Sequence, residues 1–134
     1  MRSLIIGILC ILAGALKLSA QTASPLQVNF GTLVVGDSRS ATVTVKNTSI
    51  ATIHVLSYGT SSSLEFSAAG SDAFLLPDSS TRCTVTFSPA TVILPNHLHT
   101  GTLTIGIEGL PPLYVPLQGY DHSQDTATVS IARN

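Results

Sequence analysis

The sequence has few charged or aromatic residues, and this scarcity excludes several classes of function. Charged residues make up 10% of the 134 residues and the formal net charge is −1, so no basic patch marks a nucleic-acid site. Aromatic residues make up 5% and tryptophan is absent, which argues against a stacking platform for bases or sugars. Serine, threonine and aliphatic residues are abundant instead, as is typical of β-strands with one face in water.

The N-terminal segment, residues 1–20, has the layout of a secretory signal peptide. Arg2 precedes an apolar run over residues 4–16, and the small residue Ala20 ends the segment. The run is shorter than the roughly 20 apolar residues that cross a bilayer. We therefore expect an exported protein that is extracellular, periplasmic or at the cell surface. Cleavage after Ala20 or after Ala23 stays open, and an uncleaved membrane anchor is the alternative.

Cysteine is also scarce, and its two positions exclude a disulfide within the exported chain. Cys10 lies inside the signal segment, so its removal leaves Cys83 without a partner in its own chain. Stability must then come from the apolar core alone. Cys83 alternates with hydroxyl residues and shares its side of the strand with Val85 and Phe87, so we expect a small buried hydrophobe. Pairing of Cys83 with another chain is the alternative.

The segment RCTVTFSP, residues 82–89, predicts a central strand of a two-layer β domain. Its apolar side chains alternate with Thr84, Thr86 and Ser88, and Pro89 ends the strand. Similar alternation recurs over residues 26–30, 39–46, 53–58, 101–107 and 113–118, with turn residues between these segments. A change of parity within residues 53–58 indicates a bulge or a strand covered on both faces. Pro116 indicates an edge strand or a donor position that faces outward.

These patterns predict an all-β fold, an immunoglobulin-like β-sandwich of seven to eight strands over residues 26–120. Residues 21–25 are expected to be a polar lead-in, and residues 64–66 a short edge strand followed by a loop through residue 71. Residues 121–134 form a tail in which residues 126–131 alternate again. This extra strand would pack on its own sheet, fray, or add to the edge of a neighbouring chain.

No set of residues in the sequence predicts catalysis, a cofactor or a metal. His97 and His99 lie in a loop, and His122 and Asp121 would complete a zinc site only if the fold brought all four together. Loop histidines without a carboxylate motif are usually solvated, so we assign no metal ligands. Asp37 and Ser38 lack the elbow of a serine hydrolase and are expected to form a turn.

One further motif, Asn47-Thr48-Ser49, fits both a turn and an N-glycosylation sequon. The sequon matters only if the host glycosylates exported proteins. We therefore expect a turn at this position.

The strand and turn motifs resemble those of a known family of structural modules. The motifs are Phe30-Gly31, Val35-Gly36, ATVTVKN from residue 41, CTVTFSP from residue 83, GTLTI from residue 101 and VPLQG ending at Gly119. They resemble an ASH domain, the immunoglobulin-like module of Hydin and abnormal-spindle proteins, and in particular bacterial choice-of-anchor D proteins. The sequence departs from that pattern in having Pro77-Asp78 before the cysteine strand and no second cysteine upstream.

The resemblance implies the fold but not the ligand. Together with the signal peptide, it predicts a non-enzymatic exported module that binds an unknown protein or cell-surface material. No nucleic acid is expected, contact with a membrane would come only through an uncleaved signal segment, and the protein would be a monomer or associate weakly. One alternative is a subunit or chaperone-like component of a surface assembly that uses edge-strand pairing. Another is a metal-binding or hydrolytic domain.

Overall fold

The computed structural model describes residues 20–90 and 96–123, which form two β-sheets around one apolar core. The apolar segment before Ala20 and the alternating residues 126–131 lie outside the described residues. Within residues 20–90 and 96–123, there is no helix that is long and apolar enough to cross a membrane. The all-β prediction is confirmed for the residues that the structure describes.

Nine strands are present within the described ranges. They are β1 (Gln21–Ser24), β2 (Val28–Val34), β3 (Arg39–Asn47), β4 (Ile53–Thr60), β5 (Phe66–Gly70), β6 (Ala73–Leu75), β7 (Ser80–Phe87), β8 (Leu98–Ile107) and β9 (Leu110–His122). One sheet has the order β1-β3-β7-β5, and the other has the order β2-β9-β8-β4-β6. Neighbouring strands are antiparallel except β2 and β9, which are parallel.

Strand β7 has the central position and the alternation that its sequence predicts. It lies between β3 and β5, and Cys83, Val85 and Phe87 are completely buried. Thr84 lies on the opposite face and is exposed. The apolar side chains of β7 thus face the second sheet, and Cys83 is the buried hydrophobe that we expected.

Three phenylalanines from different strands form the centre of the core. Phe30 of β2, Phe66 of β5 and Phe87 of β7 are each almost fully buried. Their ring centroids are 5.0–5.9 Å apart, within the range of favourable aromatic contacts. Because these strands belong to both sheets, the cluster joins the two layers.

Two segments that were expected to be irregular are strands. Residues 21–24, the predicted lead-in, form β1 and pair with residues 44–47 of β3. Gln21 and Ala23 are buried, but four residues with one apolar inward side chain carry too little pattern to identify a strand from sequence. The edge strand predicted over residues 64–66 is β5, which covers residues 66–70, so most of the expected loop is strand; the small side chains after Phe66 hide the alternation.

The irregularities predicted in β4 and β9 have separate explanations. The register of β4 against β8 shifts between Val55 and Ser57, so the bulge is confirmed. Strand β9 is not an edge strand, because it lies between β2 and β8. Pro116 is accommodated because pairing with β2 begins only at Leu117, so β9 has one partner strand beside the proline.

Candidate functional site

The structure brings together three of the four residues considered as metal ligands. Asp121 is completely buried, and its Oδ1 accepts a hydrogen bond from the backbone N–H of His97 at 2.9 Å. Its Oδ2 lies 3.1 Å from Nε2 of His99. The next residue, His122, is exposed, since successive side chains of a strand point to opposite faces.

His99 has no free nitrogen to offer to a metal. Its second nitrogen, Nδ1, lies 3.2 Å from Oε1 of Glu65, so a carboxylate occupies each side of the imidazole. The ring of His97 meets that of His99 edge-on, with centroids 5.0 Å apart. No group of three metal-binding side chains with suitable geometry occurs within residues 20–90 and 96–123. The cluster instead connects β8, β9 and the loop before β5.

The ionisation of Asp121 fits this structural role. Burial opposes the charge on the carboxyl, but the hydrogen bonds from His99 and from the backbone of His97 outweigh it, and the pKa of Asp121 lies below its ordinary value. A buried charge is stable only when its hydrogen bonds are satisfied. These contacts satisfy both carboxylate oxygens.

The other motifs noted in the sequence also have structural roles. The N–H of Asp37 donates to the carbonyl of Val34 at 3.0 Å, so the turn is centred on Val35 and Gly36, two residues before the predicted position at Asp37 and Ser38. Asn47 is completely buried, and its amide nitrogen donates to the carbonyls of Ala51 at 2.7 Å and Leu75 at 2.9 Å. The folded protein therefore has no room for a glycan on Asn47.

An open groove of about 610 Å³ lies at one end of the sandwich. The start of β4, strand β6, the β8–β9 turn, the β3–β4 loop and Ala20 all contribute to it. Its lining consists of Ala20, Ser49, Ala51, Thr52, Ile53, His54, Phe74, Glu108, Gly109 and Leu110. Gly109 has φ of 70°, a left-handed conformation that glycine adopts without strain. We call this depression the end groove.

An ordered cluster of side chains forms one wall of the end groove. His54 of β4 lies directly opposite Phe74 of β6, and their rings stack with centroids 3.9 Å apart and planes at 13°. Nδ1 of His54 lies 2.8 Å from Oε2 of Glu108, and Nε2 contacts Asp72. The imidazole is thus held at both edges and covered on one face.

The two carboxylates also change the acidity of the imidazole. The hydrogen bond to Glu108, followed by the bond to Asp72, raises the pKa of His54 above its ordinary value of 6.5. The positive form of His54 is therefore favoured between the two acids. Phe74 lies on this ring and keeps 70% of its own surface exposed.

Sequence analysis does not identify the end groove. Asp72 and Glu108 are 18 and 54 positions from His54, and only the pairing of β4 with β6 and β8 brings them together. The one local signal is the run Phe74-Leu75-Leu76. A strand buries one face, so three successive apolar residues leave at least one exposed.

Comparisons with known proteins agree with this fold. The family model for abnormal spindle-like microcephaly-associated, ASPM-SPD-2-Hydin (ASH) domains matches residues 15–98. No curated protein matches the sequence significantly. The ASH/PapD-like domain 7 of human CEP192 is 12% identical, with a TM-score of 0.57 over 78% of this chain and 87% of that one.

Two further structures show the same fold as part of a larger chain. The periplasmic chaperone SfaE is 5% identical, with a TM-score of 0.55 over 78% of this chain and 58% of that one. A family 123 glycoside hydrolase from Clostridium perfringens is 7% identical, with a TM-score of 0.58 over 71% of this chain. This chain spans only 22% of that enzyme. Identities this low indicate the fold alone. The family match covers more than half of the sequence, and the protein belongs to the ASH domain family.

Proposed function

We propose that this ASH domain is an exported, non-enzymatic module that binds another protein, and that the end groove is its contact surface. The observation that carries the proposal is that Phe74 is both exposed and fixed in orientation. Its ring is 70% exposed, yet it is stacked on an imidazole that is itself held by two carboxylates. Exposed aromatic side chains that are already fixed are typical anchors of protein interfaces.

The fixed orientation of Phe74 lowers the cost of binding. Ordering a mobile side chain at an interface costs about 0.5–1.5 kcal/mol, and stacking on His54 removes much of this cost in advance. The groove beside Phe74 has an apolar floor formed by Ala51, Ile53 and Leu110. An aromatic anchor beside an apolar depression fits a side chain of a partner protein.

A non-enzymatic role is supported by the structural use of the candidate catalytic groups. Ser38 lies in the exposed connection between a turn and β3, and His99 has both nitrogens next to carboxylates. A nucleophile needs a base within hydrogen-bond reach, and neither residue provides such a pair. The match to a glycoside hydrolase concerns the fold, because it covers 22% of that enzyme.

Export of the chain, as a module of the bacterial choice-of-anchor D type, is the second part of the proposal. It is supported by the signal-like residues 1–20 and by the fold shared with a periplasmic chaperone. Cleavage after Ala20 would leave β1 whole, whereas cleavage after Ala23 would remove three of its four residues. We therefore expect the exported protein to begin at Gln21, and the mass of its N-terminal peptide tests this.

Edge-strand pairing with another chain, as in a chaperone-like component, is the alternative mode of contact. Among the described edge strands, β1, β5 and β6 have four, five and three residues. The longer edge strand β2 is bulged, and there Gly31 N–H donates to Asn29 while Arg39 donates to the Phe30 carbonyl. Short or bulged edges are poor templates for a new strand, which favours the end groove.

The proposal is tested by photo-crosslinking in the native host. A photoreactive phenylalanine replaces Phe74 in one variant and the exposed Thr84 of β7 in the control variant. We expect one identified protein to crosslink at position 74 and not at position 84. The purified partner should then bind the Phe74→Ala variant at least 10-fold more weakly than the wild type, with an unchanged unfolding midpoint. Equal crosslinking at both positions, or equal affinity, would contradict the proposal.

A further inference from the structure

We infer that the partner segment recognised by the end groove presents an arginine beside an aliphatic residue. This inference rests on the proposed function and names the chemistry of the partner. It follows from three properties of the groove: unneutralised carboxylates, a free aromatic face and an apolar floor.

The two carboxylates that contact His54 are only partly neutralised; Glu108 lines the end groove, and Asp72 lies beside it. The side chains of Asp72 and Glu108 are 62% and 66% exposed, and each contacts His54 through one oxygen. The second oxygen of each carboxylate has no hydrogen-bond partner among the described residues. Even a protonated His54 supplies one positive charge against two negative charges, so a cation on the partner is favoured.

The protein itself does not supply that cation from the groove lining. The described lining residues include neither lysine nor arginine. Lys46, on β3, lies 3.6 Å from Asp78 and is engaged there. The described lining thus leaves a positive charge to be supplied by a ligand, which makes a basic partner residue complementary to this end of the sandwich.

The exposed face of Phe74 selects a planar cation. One face of its ring lies on His54, and the opposite face is open to solvent. A guanidinium group can stack on an aromatic face or donate to a carboxylate in a fork geometry, so arginine matches both features of this wall. An ammonium group is compact and strongly hydrated, so lysine is the weaker match.

The floor of the end groove adds a requirement for an apolar neighbour. Ala51, Ile53 and Leu110 line the depression next to the His54–Phe74 stack. Its volume of about 610 Å³ lies within the range of about 300–1,000 Å³ that is typical of ligand-binding clefts. Ile53 is already buried, and an aliphatic side chain next to the arginine would remove the exposed parts of Ala51 and Leu110 from water.

The inference is tested by NMR titration of the ¹⁵N-labelled full-length protein with three acetylated, amidated tripeptides. The peptides are Leu-Arg-Leu, the same peptide with citrulline, which keeps the planar group but lacks the charge, and the same peptide with lysine. We expect the arginine peptide to shift the amide signals of His54, Phe74 and Glu108. Its affinity should exceed that of the citrulline and lysine peptides at least 5-fold.

A matched variant distinguishes recognition of the cation from nonspecific binding of the peptide. The double variant Asp72→Asn and Glu108→Gln should bind the arginine and citrulline peptides with equal affinity. Equal affinity of the wild type for these two peptides would overturn the inference. So would concentration-dependent self-association at the same amide signals, because it would assign the groove to a second copy.

The two proposals fail in different ways. If the peptides show no preference but Phe74→Ala still weakens binding of the crosslinked partner, the arginine inference is wrong and the binding site stands. If Phe74→Ala changes neither peptide nor partner binding, the end groove is not the contact surface and both are wrong.

Discussion

The ring of Phe87 packs directly against Gly119 of the opposite sheet, at a point where no side chain fits. A Cβ atom on Gly119 would lie 2.4 Å from Cε1 of Phe87. The ring cannot move aside easily, because Phe87 is completely buried and its centroid is 5.0 Å from that of Phe66. Closely packed interiors accommodate extra atoms only by straining their neighbours.

We therefore expect Gly119→Ala to lower the free energy of unfolding by about 1–3 kcal/mol, the usual cost of overpacking. Gly59→Ala is the matched control, since a Cβ there meets nothing within 4 Å. It should leave the free energy of unfolding unchanged or raise it by up to about 1 kcal/mol, because alanine reduces the conformational entropy of the unfolded chain. Urea unfolding of the two variants measures both values, and equal stability of the two would contradict the packing argument.

Asn47 is expected to be a stability determinant and not a glycan carrier. Asn47→Ala would leave the buried carbonyl of Leu75 without its donor, which costs about 1–3 kcal/mol. Ser49→Ala removes one hydroxyl that donates to Oδ1 of Asn47 and keeps the bond to Leu75, so its effect should be smaller. Chemical unfolding of both variants tests the order. A glycan on Asn47 of folded protein would be incompatible with this structure.

Asp121 should give the protein a specific loss of stability in acid. Its folded-state pKa lies below the ordinary value of 3.8, so its charge stabilises the fold above that pH. This contribution disappears as the pH falls through the folded-state pKa. Asp121→Asn should cost about 1–3 kcal/mol at pH 7, and the difference from wild type should shrink in acid. The control variant Asp37→Asn, at an exposed position, should lose stability in acid as the wild type does. Unfolding curves recorded from pH 7 to pH 2 measure these differences.

His54 should titrate in the opposite direction. Its folded-state pKa is raised above 6.5, so its stabilising contribution is complete below that pH and is lost as the pH rises through the folded-state value. NMR titration of the imidazole should show a midpoint above 6.5 in the wild type. Glu108→Gln should lower this midpoint more than Asp72→Asn does, because the bond to Glu108 is the larger cause. Asp78 contacts Lys46 and not His54, so the control variant Asp78→Asn should leave the midpoint of His54 unchanged.

Cys83 should be chemically inert in the folded protein. The side chain is completely buried, and burial raises the pKa of its thiol, so the reactive thiolate is disfavoured. With Cys10→Ser in the full chain, a thiol-specific reagent should leave native protein unmodified and label one site in urea. Rapid labelling without denaturant, or a dimer that reducing agent dissolves, would support pairing of Cys83 with another chain.

The strands with strong alternation could be predicted from sequence because their signal is local. In β7 and β3, successive side chains such as Val43, Thr44 and Val45 show the two faces directly. Strands β1 and β5 could not be predicted in this way. Gln21 is buried in β1 although it is polar, and β5 consists mostly of small residues, so neither has an apolar side that a pattern can reveal.

By itself, the sequence determined the fold class, the burial of Cys83 and the absence of a serine-hydrolase elbow, because these depend on residue type and near neighbours. The tertiary structure alone decided which residues meet across the sandwich. It placed Asp72 and Glu108 on either side of His54, Phe74 on its ring, and Asp121 between His97 and His99. Such contacts depend on strand order and register. The pattern of apolar residues within one strand does not identify the distant strand with which it pairs.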